Sequence, residues 1–193
     1  CPPDRLTKLW EGLGYYSRVR NLQKAAKAIM EEFGGEFPGT YEAVRALPGV
    51  GDYTAGAICS ICFERPTPAV DGNVLRVLSR VMEDGAPVTN QKTKTAYREA
   101  LLPLYEAGSR GTLTQALMEL GAMVCGPNGA PKCESCPLRD MCLANAHGTW
   151  EKYPVKEAKK AKREEEKTVF YLTCDGCLAV RKRESKGLLA GLW

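Results

Sequence analysis

Four cysteines within 18 residues, Cys125, Cys133, Cys136 and Cys142, form the densest reactive group in this 193-residue chain. Their pattern is C-x7-C-x2-C-x5-C. Four thiolates this close can surround one metal centre, and spacing alone does not separate zinc from an iron–sulfur cluster. A second group is LPGVGDYTAG, residues 47–56. Gly49 and Gly51 allow a tight hairpin with exposed backbone. The helix after it starts with unpaired N–H groups and the positive end of its dipole, a setting for phosphate. Such a contact positions nucleic acid without reading its sequence. The carbonyls of Leu47 and Val50 offer a place for a monovalent cation bridging to phosphate. The third group centres on Asp71 in VDGNVLRV, 20 residues after Gly51. Asp is among the best helix N-caps. The same carboxylate, held at the mouth of a site, would stabilise a developing cation.

The remaining reactive residues carry less. Cys59 and Cys62 sit on an apolar helix and read as small core residues. Cys174 and Cys177 flank a turn, where a metal or disulfide is an alternative to two free thiols. The single histidine, His147, lies in a loop and is given no role. Nine cysteines, with Cys1 apart and four clustered, suit a metal site in a reducing compartment better than a disulfide framework.

Helices must position these groups. RLTKLWEGLGYY has Leu6, Leu9, Trp10 and Leu13 at helical spacing, interrupted by Gly12 and Gly14. A second helix runs from Arg20 to Phe33 and stops at Gly34 and Gly35. A short helix over 41–47 has Thr40 as its cap. The run from Thr54 to Phe63 is a buried helix ended by Pro66 and Pro68. Asp71 precedes NVLRVLSRVM, with Val74, Val77, Leu78 and Val81 on one face. Residues 91–107 and 112–124 give two more amphipathic helices. No strand is expected before about residue 168. Residues 151–167 hold seven basic and five acidic side chains and little to bury, so they read as a linker or solvated helix. The period then becomes two, and Asp175-Gly176 signals a two-residue hairpin.

Composition sets the outer limits. No stretch approaches the roughly 18–20 apolar residues of a membrane span, so a transmembrane protein is excluded and no membrane partner is expected. A net charge of +4 tolerates nucleic acid without demanding it. No basic segment followed by an apolar run opens the chain, which argues against a secretory signal. The chain starts at Cys1, not Met, so an upstream beginning is expected.

LPGVGDYTAG followed by PAVDGNVLRVLSR resembles the helix-hairpin-helix DNA glycosylases of the endonuclease III type. WEGLGYYSRVRNLQKAA narrows the resemblance to the adenine glycosylases of the MutY family, from about Leu6 to Trp193. The implied fold is an all-α helix-hairpin-helix glycosylase domain with an iron–sulfur loop, then a linker and the first strands of a Nudix-like α+β domain. The implied boundaries are 1–148, 149–167 and 168–193, with the last segment carried by AVRKRESKGLLAGLW. In that family four such cysteines hold a [4Fe–4S] cluster. The usual first gap is six residues, and here it is the seven of GPNGAPK. The expected partner is duplex DNA containing A:8-oxoG or A:G mispairs, bound by a monomer. The expected location is the cytoplasm or nucleoid of a bacterium, or the nucleus or mitochondrion of a eukaryote.

The resemblance also assigns roles. Asp71 is the cation stabiliser, and Asn73 lies near the leaving base or the attacking water. Tyr53 stands where the strand-cutting relatives carry a lysine nucleophile. A phenol cannot form an imine, so a monofunctional enzyme is expected. Leu47, Gly49, Val50, Gly51 and Thr54 meet DNA through the hairpin, and Tyr15 is the wedge beside 8-oxoguanine. Of Tyr15 and Tyr16, one is expected exposed and one buried. Arg18 and Arg20 are candidate phosphate contacts. The family's acid is a glutamate upstream of GLGYY, expected before Cys1. Glu11 does not match it, so this chain alone is expected to be inactive. The alternatives are an endonuclease III-like glycosylase and lyase for oxidised pyrimidines, or a non-catalytic DNA-binding fragment.

Overall fold

The computed structural model describes residues 1–158, 164, 166, 168–184, 186–187 and 190–192. Part of the expected linker, part of the segment AVRKRESKGLLAGLW and Trp193 lie outside these. The chain divides into two compact units: Asn21–Ala158, and Cys1–Arg20 together with the described residues after Ala158.

Helix α1, Pro3–Leu9, belongs to the second unit; helix α2 is Ser17–Glu32, and its residues from Asn21 onward belong to the first unit, which is helical. The expected break at Gly12 and Gly14 falls between α1 and α2, and the second helix begins at Ser17 rather than Arg20. Helix α3 is Tyr41–Ala46, capped by Thr40, whose hydroxyl accepts from the Ala43 N–H at 3.4 Å. A turn then closes through Val50 N–H to the Leu47 carbonyl at 3.1 Å. Pro48 supplies its fixed φ and Gly49 its positive φ of 79°, the pairing a type II turn requires. A Cβ at Gly49 would also lie 2.5 Å from Cβ of Asn21. Helix α4 is Asp52–Phe63. It ends at Glu64, in the left-handed region, before either proline is reached. The Glu64 carboxylate accepts from the N–H groups of Arg110 and Gly111 at 2.9 and 3.2 Å, and so caps another helix, α7 (Arg110–Glu119).

Helix α5 is Gly72–Val81 and α6 is Gln91–Ala107, capped by Asn90. The helix expected over 112–124 loses its α pitch at Leu120 and finishes as a π turn, Leu120–Val124. A Cβ at Gly121 would lie 2.5 Å from Cβ of Asn73, so a glycine there lets the turn close on α5. Helix α8 is Leu143–Ala146. Val74, Leu101, Tyr105 and Leu117 form a core cluster between α5, α6 and α7. Val44, Ala55 and Cys59 form another between α3 and α4. The buried hydroxyls of Ser60, Thr114 and Tyr105 pair in a row at 2.7 and 2.8 Å. Cys59 is core as expected, but Cys62, one turn on, is exposed. Near the start of the charged stretch, Val88 N–H donates to the Val155 carbonyl at 2.9 Å, which fastens that residue to the helical unit.

In the second unit, strands β1 (Thr173–Cys174) and β2 (Cys177–Leu178) pair antiparallel, with Cys174 opposite Cys177. Asp175 and Gly176 carry positive φ of 49° and 74°, as the expected two-residue turn requires. Among the described residues no helix is long and apolar enough to cross a membrane.

Candidate active site

The hairpin and Asp71 meet in one cleft of about 720 Å³, within the usual range for ligand sites. Gly51, Asp52, Tyr53 and Thr54 line it together with Asp71 and Gly72. Lys94, Thr95 and Arg98 of α6 line it too. Tyr53 is 44% exposed. Helix α4 enters this cleft at Gly51 with no side-chain cap, so its first N–H groups remain available.

Helix α5 enters the same cleft capped by Asp71. Asp71 Oδ1 accepts from the N–H groups of Asn73 and Val74 at 2.9 and 2.8 Å. Its Oδ2 accepts from Asn73 Nδ2 at 2.9 Å. A carboxylate oxygen takes about two donors, so Oδ1 is filled by the cap while Oδ2 keeps capacity. Capping and chemistry are therefore compatible in this one side chain.

Asn73 passes the connection on. Its Oδ1 accepts from Arg76 Nη2 at 2.8 Å. Arg76 also donates to the Gly121 carbonyl at 2.6 Å and, through Nε, to the Cys125 carbonyl at 2.7 Å. Burial holds the Arg76 guanidinium below its ordinary value, and Arg80 adds to this while Cys125 and Asp71 oppose it. One turn on, Arg80 donates to Cys125 Sγ at 3.2 Å and to the Gly126 carbonyl at 3.1 Å.

All four expected metal ligands, Cys125, Cys133, Cys136 and Cys142, line one pocket with Arg80, Val77, Leu120, Val124 and Leu138. Burial pushes the Cys133 thiol up, and the other three cysteines push it further. Among the described residues no three His, Cys, Asp or Glu are grouped to hold a metal ion.

The model for the HhH-GPD superfamily of base excision DNA repair proteins matches residues 1–103. The chain belongs to this superfamily. It is 47% identical to the adenine DNA glycosylase of Mus musculus over 73% of this chain and 27% of that protein. It is 36% identical to the adenine DNA glycosylase of Homo sapiens over 98% of this chain and 43% of that one. A bacterial adenine DNA glycosylase, from Buchnera aphidicola of Schizaphis graminum, is 41% identical over 81% and 45%. The chain thus spans between about a quarter and half the length of these relatives. Among solved structures, a trapped endonuclease III–DNA covalent intermediate aligns with TM-score 0.64 and 26% identity over 77% of this chain and 68% of that one. A thermostable thymine-DNA glycosylase aligns with TM-score 0.62 and 27% identity over 76% and 67%.

For this HhH-GPD member, the cleft gathers Gly51, Tyr53, Thr54 and Asp71 of the expected site residues. Asn73 stands behind Asp71. Leu47 is buried, so only its backbone is on offer to a ligand. Tyr15, described within its own unit, is 76% exposed with φ of +46°, and the Arg18 guanidinium lies 4.9 Å from its ring centre. Tyr16 is half-buried rather than core. Arg76, Arg80, Lys94 and Arg98 were not singled out from sequence. The signal for the first two was spacing: Asn73, Arg76 and Arg80 follow at three and four residues, one stripe of α5. His147 does have a partner, with Nδ1 2.7 Å from Glu83 Oε2.

Proposed function

We propose that the full-length protein is a monofunctional adenine DNA glycosylase of base excision repair. It would hydrolyse the N-glycosidic bond of adenine opposite 8-oxoguanine or guanine. The observation that carries this reading is Asp71, whose Oδ2 takes a single donor, in the same cleft as Tyr53 and the uncapped start of α4. The adenine glycosylase relatives support it. Departure of adenine leaves an oxocarbenium-like sugar. The Asp71 carboxylate stabilises that charge, and Asn73 fixes the carboxylate's Oδ2. Tyr53 borders the sugar. The hairpin backbone from Leu47 through Gly49, Val50 and Gly51 to Thr54 tracks the phosphates, and Tyr15 wedges the stack. In keeping with this, the cleft-side N–H groups of α4 have no side chain of their own chain to bind.

Cys125, Cys133, Cys136 and Cys142 are assigned to a [4Fe–4S] cluster. All four line one pocket, and the likeness to adenine DNA glycosylases supports this assignment over a zinc site. When bound, the cluster supplies a cross-link to the loop whose first carbonyl Arg76 holds. Residues 1–148 are assigned to the glycosylase domain, 149–167 to the linker and 168–193 to the start of a Nudix-like 8-oxoguanine reader.

One observation favours a lyase instead: Lys94 lines the cleft and carries an amine. The test is adenine release by the full-length protein from a duplex with A opposite 8-oxoguanine, read with and without alkali. Strand breaks only after alkali are expected. Breaks without alkali, lost in Lys94→Met, would establish the lyase, and no adenine release would remove the proposal.

A further inference from the structure

Arg45, in the last turn of α3, reaches across the hairpin. Its Nε donates to Asp52 Oδ1 at 2.6 Å and its Nη1 to the Val50 carbonyl at 3.0 Å. Val50 is one of the two residues whose carbonyls were expected to hold a monovalent cation. The other, Leu47, already accepts the Val50 N–H at 3.1 Å. A free cation at the Val50 oxygen would lie against a guanidinium, and like charges a few ångströms apart repel. These residues do not fit the expected ion.

We propose that Arg45 is the hairpin's built-in cation: its guanidinium replaces the monovalent ion at the Val50 carbonyl and faces the DNA phosphate. This rests on the DNA-binding reading of the hairpin. Asp52 explains why an arginine is needed. It is the first residue of α4, and its carboxylate stands where a phosphate would approach. Alone it would repel the phosphate. Paired with Arg45, it fixes the guanidinium instead, and the pair carries no net charge. The hydrogen bond from Arg45 holds the Asp52 carboxyl below its ordinary value, and Arg98 helps from α6. Tyr41 donates to the same oxygen at 3.4 Å. Arg45 Nη2 has no partner among the described residues. A planar guanidinium with a free edge suits a phosphate oxygen better than a point charge would.

The test is the affinity of the full-length protein for a duplex carrying a tetrahydrofuran abasic analogue opposite 8-oxoguanine. It is measured in sodium, potassium and tetramethylammonium chloride at equal ionic strength, because total salt alone weakens such binding. Wild-type affinity is expected to be the same in all three salts. Arg45→Ala is expected to bind about two- to fivefold more weakly in tetramethylammonium, the scale of an exposed ion pair, and to recover in sodium or potassium. Arg45→Ala with Asp52→Ala is expected to keep that preference, because the Val50 carbonyl is still vacated. Arg45→Met, which keeps the apolar stem but removes the donor to the Val50 carbonyl, provides the same reading if the alanine variants melt early. A wild type that itself prefers sodium or potassium would overturn the proposal, as would an indifferent Arg45→Ala. So would a double variant restored to wild-type affinity with no preference, since Arg45 would then only neutralise Asp52. Absence of duplex binding in every salt would remove the DNA reading together with it.

Discussion

Helices α4 and α5 begin in the same cleft but begin differently. Helix α4 starts at a glycine, with no side chain on its first N–H groups. Helix α5 starts under Asp71, which fills two of its donors. The first end is left for an outside anion. The second satisfies itself and in doing so fixes a carboxylate in the cleft. On the function proposed above, the two helix starts divide the work: one would hold a backbone phosphate, and the other would place the charge that faces the sugar. Opposite signs are needed at the two places, and the choice between Gly51 and Asp71 supplies them.

The sharpest way to break this comparison is Asp71→Asn. Asparagine caps a helix about as well as aspartate. Adenine release in a single-turnover assay should fall by about 10²–10³-fold, the scale of losing one charge-stabilising group. The melting temperature should hardly move. Activity and melting falling together would mean that Asp71 only caps. Next is Arg76→Met, which leaves Asn73 Oδ1 and the carbonyls of Gly121 and Cys125 without their donor. Buried groups left unpaired cost about 1–3 kcal/mol each, and relaxation recovers part of this, so about 2–4 kcal/mol is expected in denaturant unfolding. Iron content should fall with it. On the α4 side, Gly49→Ala meets both a φ of 79° and Asn21 at 2.5 Å. It should cost about 1–3 kcal/mol and weaken duplex binding, while release at saturating DNA stays near wild type.

What the sequence disclosed was mostly local. Thr40 and Asp71 cap helices because each carries its oxygen two or three residues from the N–H it serves. Pro48-Gly49 and Asp175-Gly176 dictate turns through their own φ. What it concealed depends on residues far apart in the chain. Glu64 caps α7 from 46 residues away. Gly121 looks like an ordinary helical glycine until Asn73 is found against it. The π turn at Leu120–Val124 includes that glycine, and no periodicity announces it. Nothing local marks Arg76 and Arg80 on their amphipathic helix, yet both are buried and bond to the cysteine loop. Nothing local marks Arg45 either, because its partners lie across the turn.

The far end of α5 offers the smallest test, because it too ends on a carboxylate. Glu83, in the left-handed region just past the helix, accepts from the Thr149 hydroxyl and meets His147 at 2.7 Å. The Thr149 and His147 hydrogen bonds hold its carboxyl below the ordinary value, with Lys152 helping by its charge. The sign follows from that depression. The folded chain favours the ionised form more than the unfolded chain does. The contribution is therefore present above the ordinary glutamate value of about 4.3 and is lost as pH falls through the lower folded value. Glu83→Gln should lower the melting temperature slightly at pH 7, and the gap to wild type should close only below about pH 4.3. Asp71 caps the start of the helix mainly through backbone N–H groups, whereas Glu83 is held by side chains of the segment after α8. A gap that stayed constant down to acid denaturation would mean that the Glu83 charge adds nothing, and that only the shape of its side chain fastens Thr149 to the end of α5.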